Sequence, residues 1–573
     1  MPHRMETVLV AEAPGQSVDW DLARDLLQNP AARIIACDPI AFQGALRINE
    51  NVVTTKAFLT PTDLVETDRQ VGKQLDGCRG VDIIEQRTGL QLTFLAVRTL
   101  ALQLVAFEKA MALAAKLVAS SDRFVLIGDT RPRKAAAYPC EAQDLFDIVA
   151  TWSRSEGIPC DRGERGAELV SEDRWNPELG PMLASVGERL MRLRPRRVLA
   201  VRLYEDLRPR LSRHLPGVSV LPLILPNNPS RADIRAASDV ASSWSSRLGL
   251  EHSEEIPSPV QALAVDRLRE ALSLELPLVF ARSRSARNAL KRFKPHVVLQ
   301  MEDISPWGRS LAALARTALA WTVVVQHGLT GEGLYGSHVM PAVAHRHACW
   351  GESAMRWNLD HGAPPDSQII IGNPMLDEHF RGNPPITVAS EMPREVAFIS
   401  QPFVPLSPAE SDFDRWEAMR ALLPIDEQNV PIAIRPHPSE DPSRLRRLVD
   451  AVGFSTVQWD ETLTATLRRP AVIVCKSSTV ALEAMTRHRP VVLAAFSGRG
   501  DPTGLSHEGA ALVAASAGEL TTAVQACLRD RNVLEALSAA RERLLTQYLD
   551  GMDGHASLRL ADHVQGHLPR KTR

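Results

Sequence analysis

At 573 residues the chain is too long for one hydrophobic core, which sets an expectation of two domains. Its 45% hydrophobic and 23% charged residues suit a soluble globular protein. Lys plus Arg (66) nearly cancels Asp plus Glu (68), so no net field gathers a polyanion, and nucleic acid is excluded as a partner. The seven cysteines are scattered and lack any CxxC spacing; neither a disulfide framework nor a zinc site is indicated, and a reducing cytoplasm fits.

In chain order, MPHRMETVLVAEAPG has no long apolar run after its basic residues, so no signal peptide is expected, and Thr7 to Ala13 reads as a first buried strand. Arg33 to Cys37 and Phe124 to Gly128 read as further strands. Between them Thr93 to Ala119 is strongly apolar, but Arg98, Glu108, Lys109 and Lys116 interrupt it, which makes it a packed helix rather than a membrane span. Strand-like runs resume at Val198 to Leu203, Val218 to Leu225, Val297 to Gln300, Thr322 to Val325 and Ile369 to Ile371. Short apolar runs alternating with helices are the pattern of an α/β protein. Residues 230–294 are rich in Ala, Leu, Arg and Glu with almost no β-type run, and read as a helical insertion in the first domain.

From Asp377 to Pro393 the chain turns polar and proline-rich, the composition of an interdomain linker. The expected division is therefore residues 1–385 and 386–573. The second part opens on a strand at Val396 to Ser400 and a helix near Pro408 to Leu422. It ends in helices at Ala517 to Leu549 and His555 to His567.

The most informative stretch runs from Pro431 to Phe496. Ala471 to Cys475 and Pro490 to Ala495 flank a helical segment that opens on Lys476, Ser477, Ser478 and Thr479, the outline of a strand–helix–strand crossover. Its first turn sets free backbone N–H groups and the positive end of a helix beside three hydroxyls and an ammonium, which suits an anion. Ile432 to Ile434 is a second buried strand that delivers Arg435, His437 and Pro438 to the same sheet edge, so both turns can meet one phosphate. In the first part, the strand at Val297 ends in Glu302 and Asp303; Asp303 is equally well read as a base for an acceptor hydroxyl or as a helix cap. The strand at Thr322 ends in Gln326, His327 and Gly328. His327 is a rival for the base role, for holding a sugar or for touching a phosphate.

Gln326-His327-Gly328, Trp350-Gly351, Gly372-Asn373-Pro374, Arg435-Pro436-His437-Pro438 and Ser477-Ser478-Thr479 occur in the order seen in bacterial GT-B glycosyltransferases of surface polysaccharide assembly. The stretch resembles the CMP-sugar (sialic acid or Kdo) transferases of capsule and lipopolysaccharide synthesis, and in two motifs it is similar to the CDP-glycerol glycerophosphotransferases. The resemblance covers about Val297 to Phe496 and implies a GT-B fold, two doubly wound Rossmann-like domains facing a cleft. It implies an inverting, metal-independent transfer of a sugar from a cytidine nucleotide donor to a glycan, lipid-linked or protein acceptor. No cofactor is implied, and the location is the cytoplasm, up to the inner face of its membrane. Carried over by position, Arg435, His437, Pro438, Lys476, Ser477, Ser478 and Thr479 would hold the donor phosphate and Glu483 the ribose. Asp303 would be the base, with Glu302 and His327 as rivals, and Gln326 and Gly328 would lie on the acceptor side.

Two further patterns are set aside. Gly331 to Gly336 fits GxGxxG but no helix follows it, and Asp412-Phe413-Asp414 fits DxD but sits in a helix-forming run and reads as surface. Alternative readings are a non-hydrolysing UDP-HexNAc 2-epimerase on the same fold and a non-catalytic sugar-binding protein.

Overall fold

The strands form where short β-branched and apolar runs can be buried on both faces, as in Val472–Cys475, all four residues of which are buried. The structure is a computed structural model that describes residues 5–12, 18–80, 84–85, 90–128, 141–162, 196–201, 207–223, 225–226, 228–250, 256–331, 343–382, 395–401, 412–437, 440, 442–459, 462–469, 471–476, 478–496 and 500–569. Among these residues the chain builds three parallel sheets. The strands expected before residue 372 are thus sorted into two sheets. Strand by strand, a run buried between helix layers looks alike whichever sheet it joins.

The first sheet orders its strands Val52–Thr54, Arg33–Ala36, Met5–Val10, Ser121–Ile127, Cys160–Arg162. The second runs Gln368–Ile370, Arg346–Cys349, Trp321–Val325, Val297–Gln300, Arg196–Val201, Val218–Pro222. The third runs Val457–Trp459, Ile432–Arg435, Val396–Ile399, Val472–Cys475, Val491–Ala494, Leu512–Ala514. Counted from its own first strand, the third sheet has the order 3-2-1-4-5-6 of doubly wound dinucleotide-binding sheets. In such sheets ligands bind at the carboxyl edge where the winding reverses. Here that place lies between Val396–Ile399 and Val472–Cys475. In the second sheet it lies between Arg196–Val201 and Val297–Gln300.

The helical insertion is present as Arg231–Ser245 and Ser258–Phe293. Its Trp244, Leu272 and Phe280 share a core with Leu95, Leu100 and Leu104 of the helix Leu92–Ala119, so the apolar stretch of the first part is spent on packing. Among the described residues no helix is long and apolar enough to cross a membrane.

The last helix, Ala556–Gly566, returns from the third sheet to the second, where Leu560, Ala561 and Val564 join the core of Val198, Val297 and Val323. The crossing explains two of the sequence motifs. A Cβ on Gly351 would lie 2.5 Å from the Gln547 carbonyl, and one on Gly372, at φ +81°, 2.7 Å from that of Asp550. Both glycines let the returning chain pass. Asp377 fixes the entry by accepting the amides of Ala556 and Ser557, each at 2.9 Å. The second and third sheets, joined by this crossover and facing each other, form the GT-B arrangement, and the first sheet is an addition to it.

Candidate functional site

Two strands of the third sheet end at its reversal. Cys475 leads into Lys476, and Ser478 then starts the helix Thr479–Thr486 by accepting the Val480 amide at 3.3 Å. The N-terminus of this helix therefore opens at the carboxyl edge, with the strand Val396–Ile399 between it and the strand that ends in Arg435. Thr479 looks across the cleft: its Oγ1 accepts the amide of Leu329 from the second sheet, 3.1 Å away. That bond brings the Gln326-His327-Gly328 turn to the helix N-terminus. A second contact lies alongside, where a Cβ on Gly331 would sit 2.7 Å from the Pro502 carbonyl.

On the second-sheet side, His327 is exposed and its Nδ1 donates to the Met301 carbonyl at 2.8 Å. That bond puts the basic lone pair of the neutral ring on Nε2. Gln326 is a brace: its amide nitrogen donates to the Gly328 carbonyl at 2.8 Å and its oxygen accepts the Trp350 amide at 2.7 Å. The two carboxyl groups expected near the base position are otherwise engaged. Glu302 accepts the amides of Ile304 and Ser305 at 2.9 and 2.8 Å and the Ser305 hydroxyl at 2.6 Å, tying off the loop ahead of the helix Pro306–Thr317.

Asp303 corrects the expectation most clearly. It is 2% exposed, accepts the amides of Val343 and Ala344 at 2.9 Å each, and pairs with His347 at 3.3 Å. Burial would raise its carboxyl, but His347, the Ala344 amide and Arg309 outweigh that and hold it down at about 2. A carboxylate so buried and so bonded braces the loop.

On the third-sheet side, His437 follows the strand Ile432–Arg435 and its amide donates to Glu440 Oε2 at 2.7 Å. Partial desolvation pushes its imidazole below the usual value; Glu440 opposes and Arg435 adds to this. Glu483, one turn beyond Thr479, has its carboxyl pushed up by burial, with Arg487 and Arg435 pulling the other way. Pro438 and Ser477 lie outside the described residues.

Two features escaped the sequence reading. Glu440 organises the turn after His437, and Asp501 ties its own loop by accepting from the Thr503 amide at 2.9 Å and the Ser506 amide at 2.7 Å. A carboxylate three residues after His437 and the Asp-Pro-Thr-Gly turn were the available signals. Asp414, read as surface, is 9% exposed and pairs with Lys56 at 2.6 Å. Among the described residues no cluster of three or more His, Cys, Asp or Glu could hold a metal ion.

No family model matches the chain, and no curated protein matches it significantly. Solved structures do. The UDP co-structure of MnaA from S. aureus is 13% identical over 65% of this chain and 96% of that one, with a TM-score of 0.43. The UDP-GlcNAc 2-epimerase of Neisseria meningitidis bound to UDP-GlcNAc is 15% identical over 65% of this chain and 100% of that one (TM-score 0.39). Anabaena Alr3699/HepE in complex with UDP and glucose is 12% identical over 64% of this chain and 99% of that one (TM-score 0.35). The nucleotide named for each of these three is a uridine one, whereas the sequence resemblance implied cytidine. With TM-scores below 0.5, the fold rests on the strand order and crossover described above.

Proposed function

We propose that the chain is an enzyme that transfers a sugar from a nucleotide donor to a hydroxyl acceptor in the cleft between the second and third sheets. The donor phosphate sits at the N-terminus of the helix Thr479–Thr486, with Arg435, Lys476 and the His437 imidazole around it. His327 Nε2 takes the proton of the acceptor hydroxyl. As the new bond from that oxygen to the sugar carbon forms, the carbon–oxygen bond to the phosphate breaks, and the leaving charge stays on the nucleotide beside the helix end. The observation that carries the reading is the bond from the Leu329 amide to Thr479, because it puts an exposed histidine, oriented through Nδ1 by the Met301 carbonyl, next to the helix N-terminus. A cytidine donor follows from the motif resemblance alone.

Incubation with CMP-, CDP- and UDP-sugars, with and without a glycan acceptor, tests this. Nucleotide released only when acceptor is present supports transfer; an epimerised UDP-sugar without acceptor supports the alternative activity on the same fold; neither product overturns both. His327→Ala is expected to leave nucleotide affinity nearly unchanged while lowering turnover by roughly 10²–10⁴-fold.

A further inference from the structure

The geometry points to Glu440 as the residue that positions the His437 loop, and to the first sheet and its helices as the body that holds Glu440 in place. This role rests on the donor site proposed above. Glu440 is 7% exposed, and its carboxylate joins the ends of two strands. One oxygen accepts the His437 amide at 2.7 Å; the other accepts the Ser400 hydroxyl at 2.8 Å and a guanidinium N–H of Arg415. Ser400 follows the strand Val396–Ile399, and its own amide donates to the Arg435 carbonyl at 2.9 Å. The Glu440 amide returns to the His437 carbonyl at 2.9 Å, closing the turn in both directions. A buried carboxylate with charge-assisted bonds to both strand ends fixes where the His437 ring stands relative to the helix N-terminus.

Arg415 is itself held from outside the third sheet. It lies on the helix Asp412–Arg420, whose Asp414 and Glu417 receive Lys56 at 2.6 and 2.7 Å. Phe413 and Trp416 of that helix meet the edge of Phe42, with ring centroids 6.3 and 5.8 Å apart. On the other flank of the turn, the helix Pro442–Val452 presents Arg447 to the buried carboxylate of Glu12, while Arg444 donates to the Glu12 carbonyl at 3.3 Å. Both helices that bracket the His437 turn are thus gripped by residues at the carboxyl edge and helices of the first sheet. Nothing in the two-sheet GT-B arrangement alone supplies these partners.

The test uses the full chain and titrates CMP, CDP and UDP into Glu440→Gln, Lys56→Met and Arg435→Ala. Lys56→Met removes a half-exposed surface charge and is expected to fold even where Glu440→Gln does not. Glu440→Gln should weaken nucleotide binding about tenfold and Lys56→Met about two- to fivefold. In both, KM for the donor should rise while kcat changes little, a split that general destabilisation does not produce. In Lys56→Met the His437 amide resonance should move upfield as its bond to Glu440 loosens. If Arg435→Ala loses binding while Glu440→Gln and Lys56→Met bind as the wild type does, the positioning role is wrong and the donor site stands. If all three bind normally, the donor site fails and this role falls with it.

Discussion

The amide of Leu329 donates to Thr479 Oγ1 across 3.1 Å, a bond between residues 150 positions apart that ties the carboxyl edge of one sheet to that of the other. Thr479→Val keeps the shape and removes the acceptor. One hydrogen bond of this kind contributes on the order of 0.5–1.5 kcal/mol, so kcat/KM is expected to fall about two- to tenfold. Nucleotide affinity, set on the third sheet, should change less. Steady-state kinetics beside calorimetry checks both, and equal losses in the two would place Thr479 in nucleotide binding instead.

Asp303→Asn should act on stability rather than selectively on turnover. The substitution removes the charge facing His347 and forces an amide N–H toward groups that need an acceptor, at a cost of about 2–4 kcal/mol. With its carboxyl held at about 2, Asp303 contributes stability fully above the ordinary value near pH 4, and loses it as pH falls through 2. Denaturant melts of the variant and wild type at pH 7 measure the difference. A variant as stable as wild type but without turnover would return Asp303 to the chemistry.

A second pH effect belongs to the place where the last helix lands. Trp321 is stacked between His345 and His567, with centroids 4.4 and 4.2 Å away, and Arg346 lies over the ring at 5.1 Å. His563 meets His567 edge-on at 4.9 Å. Burial, then His567 and Arg346, pushes His563 down to about 4, and His345 is lowered chiefly by burial. His345 Nδ1 accepts the Thr322 amide at 3.1 Å, a bond that protonation at that nitrogen breaks. The unfolded chain therefore binds more protons than the folded one below the ordinary imidazole value near 6.5. The melting temperature should be flat above that pH and decline as pH drops from about 6.5 towards 4. Tryptophan fluorescence should change over the same range in wild type and not in Trp321→Phe. A flat acid limb would contradict this.

Much of the inner part of the third sheet was legible because its four middle strands are short, largely buried runs. Ile432 to Ile434 and Ala471 to Cys475 fall within a residue of the observed strands. The hydroxyl-rich turn was legible as a helix start, since Ser478 does cap it. Pairing was not legible. Thr7 to Val10 and Val198 to Val201 are equally buried yet belong to different sheets, and a sequence does not record which strand lies beside which. Glu302 and Asp303 were ambiguous because the same carboxylate serves as a cap or a base. What decided it was the chain at Val343 and Ala344, whose amides reach Asp303 from 40 residues away. Glu440 was missed for a similar reason: its partner Arg415 is remote in sequence and close only in the fold.

The most direct test of the donor site is calorimetric titration of CMP, CDP and UDP into wild type, His437→Ala and Ser478→Ala. At least one of the three is expected to bind the wild type, and each substitution to weaken it by on the order of 1.5–3 kcal/mol per lost charge-assisted bond, with folding intact. Unchanged affinity in both folded variants would contradict the donor site.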